Sequence, residues 1–572
     1  MASHTTLARP CARARRRLLP LVVGPLGLWG QAVAALAQQD ASVPANPHEI
    51  ERRIEERGLR RPPAEPEVEV APEPAGAPGA ALSFVLSAVV PEGASVFGPG
   101  DFAPLYEEYL ARTVTAAEVE AIVSRVTGLY RDNGYFLSRA IAPPQDLVAG
   151  VLHIRVIEGY IDAVSFAGES PGGASLDAYA ADLIAERPAT LARFERTVLL
   201  INDLPGVSAG ARIVPVAELA GAYRLEIELA YRPVDVEGYV DNRGTRSVGR
   251  LEALVSGGLN SVLGYNERLQ ARAFFVPNQP RELLYYEASY AQPIGHDGTT
   301  VSLTGAASDS NAGEPLTPFD IESGSTFFVA QAWHPLIRSR AQSLWLLGSF
   351  EFLDLEETQH NVTSFKDRLR VARIGANYLF GDGLDGTNWI SLQASKGVQA
   401  FGATDRNAPS PSRADGRSDF EKVTAEVTRD QPLFSDFALQ LTARAQKSFV
   451  PLLTTEEFAL GGGRYGRGYD YSELKGDDGV AAAAELRYTG TLDQGLLDAI
   501  QTYLFYDVGA VWNAVPGGGS DRESLASAGG GVRLTLASNL LATIEVAKPL
   551  TRIVANEGDR DPRVFFSVSA AF

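Results

Sequence analysis

The chain has 572 residues and a net charge of −19, from 51 basic and 70 acidic side chains. That length is too great for one core and calls for two or more domains. The acidic balance argues against nucleic acid as a partner.

The first 37 residues carry five arginines (Arg9, Arg13, Arg15, Arg16 and Arg17) and no acid. Arg13 to Arg17 form a positive head, Leu18 to Gly30 a short apolar run, and Ala35-Leu36-Ala37 a small-residue cleavage site before Gln38. This is the pattern of a secretory signal over residues 1–37. The apolar run is too short for a transmembrane helix and contains Pro20 and Pro25. Without this segment 46 basic residues face 70 acidic ones, a charge of −24. The only cysteine, Cys11, leaves with it, so neither a disulfide framework nor thiol chemistry is expected.

Residues 38–61 contain one short helix, starting at Pro47-His48-Glu49 and stopped by Gly58. Ile50 and Ile54 share a face and charges fill the others. Its apolar stripe is too thin to fold alone, so it should fit into something polar. Residues 62–81 are rich in Pro, Ala and Glu and read as a polyproline-like linker. At about 3.1 Å per residue, the eighteen residues from 62 to 79 reach about 55 Å.

From Leu82 the texture is globular. Leu82 to Val90 reads as a strand, Asp101 to Arg112 and Thr115 to Asp132 as helices, and Phe136 to Ile141 and Val151 to Ile157 as strands. The pattern recurs in residues 160–231. There, strands at 160–166, 207–214 and 223–231 accompany helices at 176–185 and 191–204. Two copies of one small α+β module therefore cover 82–158 and 159–232, joined at Glu158-Gly159. Gly168-Glu169-Ser170-Pro171-Gly172 matches a nucleophile-elbow pattern, but no histidine stands in a fitting context and Pro171 suits a strained elbow badly. It reads as a structural loop.

From Val234 onwards the helical signal almost vanishes. Segments of about ten residues alternate apolar and polar. In Phe437 to Gln446, Phe437, Leu439, Leu441, Ala443 and Ala445 form one face, opposite Gln440, Arg444 and Gln446. Charge on one face is costly in a dry sandwich core but cheap in a wet lumen. Sixteen such segments occur, the first near 234–241 and the last near 563–572. An even number suits a closed antiparallel barrel in a membrane. Trp333, Trp345, Trp389 and Trp512 are expected to supply aromatic girdles at the lipid interfaces. The last strand ends on Phe572.

Between the eleventh segment, 435–447, and the twelfth, 480–490, lies Leu460-Gly461-Gly462-Gly463-Arg464-Tyr465-Gly466-Arg467-Gly468-Tyr469-Asp470-Tyr471. By itself such a run reads as a flexible surface loop. In its context the chain resembles a known family: the outer-membrane transporters of two-partner secretion systems, which export hemolysins and filamentous haemagglutinins. They belong to the larger superfamily of barrel-assembly and protein-translocation factors. Gly466-Arg467-Gly468-Tyr469 is similar to the family's Val-Arg-Gly-Tyr/Phe loop tip, with Gly466 where the family usually has Val. Phe505-Tyr506-Asp507 resembles its Phe-x-Asp motif on strand thirteen. Asn202-Asp203-Leu204-Pro205-Gly206-Val207 resembles the exit from its second POTRA helix, and Val240-Asp241-Asn242-Arg243-Gly244 resembles its entry to the barrel.

The resemblance implies a plug helix, two POTRA domains (82–158 and 159–232) and a sixteen-stranded outer-membrane barrel over 233–572. It implies a lumenal loop, 448–479, in which Arg467 folds inward to pair with Asp507. It implies periplasmic POTRA domains that bind a large β-rich exoprotein, adhesin-like or hemolysin-like, and insertion into outer-membrane lipid by the barrel assembly machinery. No phosphate loop, metal cluster or catalytic triad is apparent, so no cofactor and no catalysis are expected. The alternative is an outer-membrane protein insertase or a solute channel of the same superfamily. An insertase often has more POTRA modules than two, and a plain porin needs none.

Overall fold

The computed structural model describes residues 45–57, 68–70, 83–170, 175–494, 497–514, 520–537 and 539–572. The expected signal segment, most of the linker, and Pro171-Gly172 of the elbow-like string lie outside the described residues.

Helix α1 (Pro47–Arg57) sits inside a barrel formed by the second half of the chain. The linker contains one short strand, Val68–Val70, which the proline pattern concealed. It adds in parallel to the edge of the second module's sheet, with Val68 opposite Ala211 and Val70 opposite Ile213.

In the first module Ala88–Glu92, Val151–Ile157 and Arg139–Ile141 form a sheet, under helices α2 (Pro99–Tyr106) and α3 (Ala116–Asp132). The helix expected at 101–112 ends early. Pro104 has no N–H for the helical ladder, and after Tyr106 the chain makes a single tight turn, Glu107–Tyr109, into the strand Thr113–Thr115. Helix α3 starts on a capping box. Thr115 accepts from the Glu118 backbone N–H, while the Glu118 carboxylate accepts from that of Thr115. The second module has strands Tyr160–Gly168, Val207–Pro215 and Ala222–Tyr231, with helices α4 (Ser175–Ala185) and α5 (Leu191–Asn202).

The two modules meet at Glu158-Gly159. Glu158 accepts from the backbone N–H groups of Ser95 (2.7 Å) and Val96 (3.1 Å), from the Ser95 hydroxyl and from Tyr130 Oη at 2.8 Å. Burial by itself would raise the Glu158 carboxyl, but these donors outweigh it and hold it below the usual carboxylate range. The stabilisation is therefore full above the ordinary glutamate pKa and lost as pH falls through the lowered folded value. Replacing Glu158 with Gln is expected to speed amide exchange at Ser95 and Val96 several-fold at neutral pH. The gap to the parent chain should close in acid. An equal gap at every pH would show that the carboxylate charge plays no part. A Cβ on Gly159 would stand 2.3 Å from the Leu137 carbonyl oxygen, so only glycine fits the joint.

The barrel strands are β1 (Val234–Asp241), β2 (Glu252–Asn260), β3 (Arg268–Phe275), β4 (Leu284–Ile294), β5 (Thr299–Asn311), β6 (Ile321–Arg338), β7 (Gln342–Gln359), β8 (Val362–Gly381), β9 (Thr387–Gly397), β10 (Glu421–Pro432), β11 (Phe437–Ser448), β12 (Asp478–Gln494), β13 (Leu497–Ala514), β14 (Ser520–Leu536), β15 (Leu540–Pro549) and β16 (Arg563–Ala571). Each pairs antiparallel with the next, and β16 returns to β1. No described helix is long and apolar enough to cross a membrane. The strands cross instead, because a closed barrel leaves no unpaired backbone in lipid. Period-two alternation sends Leu441, Leu504 and Tyr506 outward and buries Gln446, Phe505 and Asp507 inside.

The tryptophan expectation needs correction. Trp333 is buried on the inward row with Phe327 and Val329. Trp345 shares the inward parity of Glu351, and Trp389 that of Gln393 and Ser395. Only Trp512 stands on the outward row, with Tyr506 and Val508. Inward tryptophans arise because this lumen is packed with side chains, a plug and a loop, and offers apolar cover that an open pore lacks.

The second module is fixed to the rim of the barrel from which β1 starts. Arg338 at the end of β6 grips Asp203 with two parallel bonds, 2.6 and 2.8 Å. Arg196 of α5 donates to the carbonyls of Asp297 and Pro335. Asn202 bridges the end of α5 to the next strand through the Ala209 N–H and carbonyl. The end of α5, from Arg196 to Asp203, thus carries the side-chain contacts between module and barrel.

Candidate functional site in the barrel lumen

The loop between β11 and β12 folds into the lumen. Its stem is a small hairpin, Phe458–Leu460 against Leu474–Gly476. The stem's base is held by buried charges. Glu456 receives Arg373 Nη2 at 2.7 Å and Lys422 Nζ at 2.7 Å, and Asp477 receives Arg413 Nη1 at 2.7 Å. Above the hairpin, Gly461, Gly462 and Gly466 all have φ near +100°, where glycine is strongly favoured. This turn brings the tip down onto the wall.

At the tip, Arg467 is clamped on β13. Its backbone N–H donates to Asp507 Oδ2 at 2.9 Å, Nη2 to Oδ1 at 2.9 Å and Nε to Oδ2 at 3.2 Å. Nη1 donates to Glu485 on β12. The guanidinium carbon lies 3.6 Å from the centre of the Phe505 ring, a cation–π contact in a desolvated site. Asp507 is fully buried and also accepts from Ser527 Oγ at 3.1 Å. Glu485 further holds Arg487 and Arg533. Glu545 on β15 accepts from Tyr503 Oη at 2.8 Å and lies 3.8 Å from Arg467. The structure thus brings Arg467, Phe505 and Asp507 into direct contact.

The neighbouring tip residues have separate tasks. At Gly466, φ is +98° and a Cβ would stand 2.7 Å from Leu525 Cδ1. The tip backbone here takes a form that valine would strain to adopt, which accounts for glycine at this position. At Gly468 a Cβ would meet the Lys548–Pro549 backbone at 2.8–2.9 Å, so the chain passes the wall with no room for a side chain. Tyr469 is buried, and its hydroxyl accepts from the Arg552 N–H at 3.2 Å and donates to the Ala526 carbonyl at 3.2 Å.

The plug helix touches this loop. Glu56 accepts from the Gly463 N–H at 2.9 Å, Arg52 donates to Ser472 Oγ at 3.2 Å, and the Arg53 guanidinium sits 4.8 Å from the Tyr471 ring centre. Arg53 is itself completely buried, bonded to Glu252 on β2 at 2.8 Å and to Glu49 at 3.1 Å. The lumen is not purely polar around α1. Ile50 and Ile54 pack on Tyr239, Leu254 and Phe274, and the His48 ring meets Phe327 edge-on at 5.3 Å.

Sequence reasoning missed Arg53, Glu252, Arg373, Glu456 and Glu545. Their signal was present: each strand residue among them is a charge on the inward row. Which charge meets which depends on a loop and a helix arriving from elsewhere in the chain.

Comparison with known proteins places this geometry. The family described as haemolysin secretion/activation protein ShlB/FhaC/HecB matches residues 225–534, and the ShlB-type POTRA domain matches residues 84–159. The heme/hemopexin transporter protein HuxB of Haemophilus influenzae (strain 86-028NP) is 23% identical over 551 residues, covering 92% of this chain and 94% of that protein. The outer membrane transporter CdiB of Escherichia coli O6:K15:H31 is 24% identical over 474 residues, 76% of each chain. The solved structure of CdiB from Escherichia coli superposes with a TM-score of 0.70 at 21% identity, covering 88% of this chain and 93% of that one. A match across more than half the length, on a barrel of the same architecture, makes this chain a member of the ShlB/FhaC/HecB family of haemolysin secretion/activation proteins.

Proposed function

We infer that this chain is the outer-membrane transporter of a two-partner system, carrying one large β-rich exoprotein from the periplasm to the cell surface. The observation that carries the reading is the lumen. It holds a displaceable element, α1, beside a loop tip whose seating on the wall shapes the lumen, each held by side-chain contacts rather than built into the barrel ladder. A solute channel has no need of such a stopper joined to a pair of periplasmic modules. Export by an extended chain needs a pore that is closed at rest and cleared on demand.

The modules would take the incoming partner by main-chain pairing at a sheet edge. The edge strand Val207–Pro215 already accepts an extended segment in cis, Val68–Val70, which supports that mode of capture. Folding of the exported chain outside the cell supplies the direction, and no nucleotide is required. Insertion of the barrel falls to the barrel assembly machinery.

The test is co-expression with a large secreted repeat protein encoded beside this chain, followed by assay of the medium. The partner should accumulate outside only when this chain is present. A partner held in the periplasm, together with faulty assembly of other outer-membrane barrels, would favour an insertase and overturn the reading.

A further inference from the structure

The barrel closes on its shortest ladder. β1 and β16 are in register only over Glu237–Asp241 against Ser567–Ala571, with Val236 and Phe572 bonded beyond it at the periplasmic end. Every other neighbouring pair runs over eight positions or more. At the outer end one more backbone bond, from the Asn242 N–H to the Phe566 carbonyl at 3.3 Å, is reinforced by the Asn242 side chain. Asn242 Nδ2 donates to the Val564 carbonyl at 3.0 Å, and Asn242 Oδ1 accepts from the Phe566 N–H at 2.7 Å.

Two arginines, one from each side of this seam, then reach the loop tip. Arg243, two residues past the end of β1, ion-pairs with Glu545, lies 4.1 Å from the Phe565 ring centre and points Nη1 at the Arg467 carbonyl, 3.5 Å away. Arg563, the first residue of β16, donates Nη2 to Asp470 Oδ1 at 2.6 Å and points Nη1 at the Gly468 carbonyl, 3.4 Å away. Its guanidinium lies 5.1 Å from the same Phe565 ring. Successive carbonyls of the tip thus face arginines from opposite sides of the seam. Phe565 on β16 makes a ring contact with both.

We propose that the loop tip is a bolt across the β1–β16 seam, with Arg243 and Arg563 as the positioning residues that couple seam closure to tip seating. While the tip is seated, the short ladder is held shut at its outer end. When the tip withdraws, Arg243 and Arg563 lose their common anchor, and the seam is left with its few backbone pairs. Coupling of this kind is reciprocal: a loosened seam also loosens the tip.

The test uses the full chain in lipid, without a partner protein, so its failure would leave the export reading standing. The only native cysteine is Cys11. Cysteines introduced at Val240 and Val568, which are register partners facing lipid, therefore accept nitroxide labels cleanly. Spin–spin distances report the seam. The intact chain should show one short distance. Arg243→Ala and Arg563→Ala should each raise a separated population about three- to tenfold, the scale of one ordinary hydrogen bond. Arg467→Ala should do the same, although Arg467 itself bonds no seam strand directly through its guanidinium. Arg464→Ala removes a contact with Glu426 on β10, away from the seam, while the Arg467 clamp keeps the tip seated, and should leave the distances unchanged. Asn242→Ala is a second seam variant that spares the tip and should also separate the labels. An unchanged distance in both arginine variants, or equal separation in Arg464→Ala, would overturn the coupling. Heat-shifted mobility on gels verifies that each barrel is folded.

Discussion

Arg467→Ala is expected to lower export of the partner by about two orders of magnitude while the barrel still inserts. Removing one member of a buried ion pair costs about 3–5 kcal/mol, because the charges left behind lose their compensation. Here that charge is chiefly Asp507, fully buried in the wall, since Glu485 keeps Arg487 and Arg533. A loss of that size lowers the seated population of the tip by a hundredfold or more. Arg467→Lys should rescue only in part, because an ammonium cannot make the two-pronged contact with Asp507 or stack on Phe505. Asp507→Asn should fall between the two, since it keeps the acceptor oxygen and loses the charge. Insertion is spared because the backbone ladder of β11, β12 and β13 does not involve the tip. Quantitative blots of the medium against membrane fractions decide the matter. Normal export by Arg467→Ala would remove the site from the mechanism.

Deleting residues 38–61 should at least double single-channel conductance in planar bilayers. A helix with its side chains is about 10–12 Å across, and α1 occupies the lumen between the wall and the loop. Its removal opens a water path along the wall beside Glu252, Glu287 and Glu351. Arg53→Ala should shift the same balance more weakly, by removing the Arg53 contact of Glu252 while Ile50 and Ile54 still pack. Unchanged currents after the deletion would show that α1 does not control the pore.

The barrel was legible because a wet lumen and a lipid exterior impose opposite tastes on alternate residues. Phe437 to Gln446 and Val480 to Tyr488 show that alternation without help from any partner. The pairing of Phe505 with Asp507 on one row follows from the same period. The first module was less legible. Its helix over residues 99–106 depends on where Pro104 interrupts the ladder, and the single strand read over 82–90 is split at Leu86-Ser87. The strand Val68–Val70 was invisible among prolines, since three residues acquire strand character only from the edge they join. Trp333 was misplaced because aromatic belts assume a lipid-facing ring, and the packed lumen offers tryptophan an equally apolar home. The partners of Glu56, Arg53 and Glu456 lie hundreds of positions away or on a loop that doubles back, and no local period encodes them.

The linker strand has one further consequence. With Val68–Val70 fixed to the second module, only residues 58–67 separate α1 from a point beside the periplasmic mouth. Eleven Cα steps span at most about 40 Å. A displaced helix therefore never diffuses away. Confined to so small a volume, it remains at a local concentration in the millimolar range. Resealing after each passage then needs no tight affinity between helix and lumen, and a weakly bound stopper can be both easy to dislodge and quick to return.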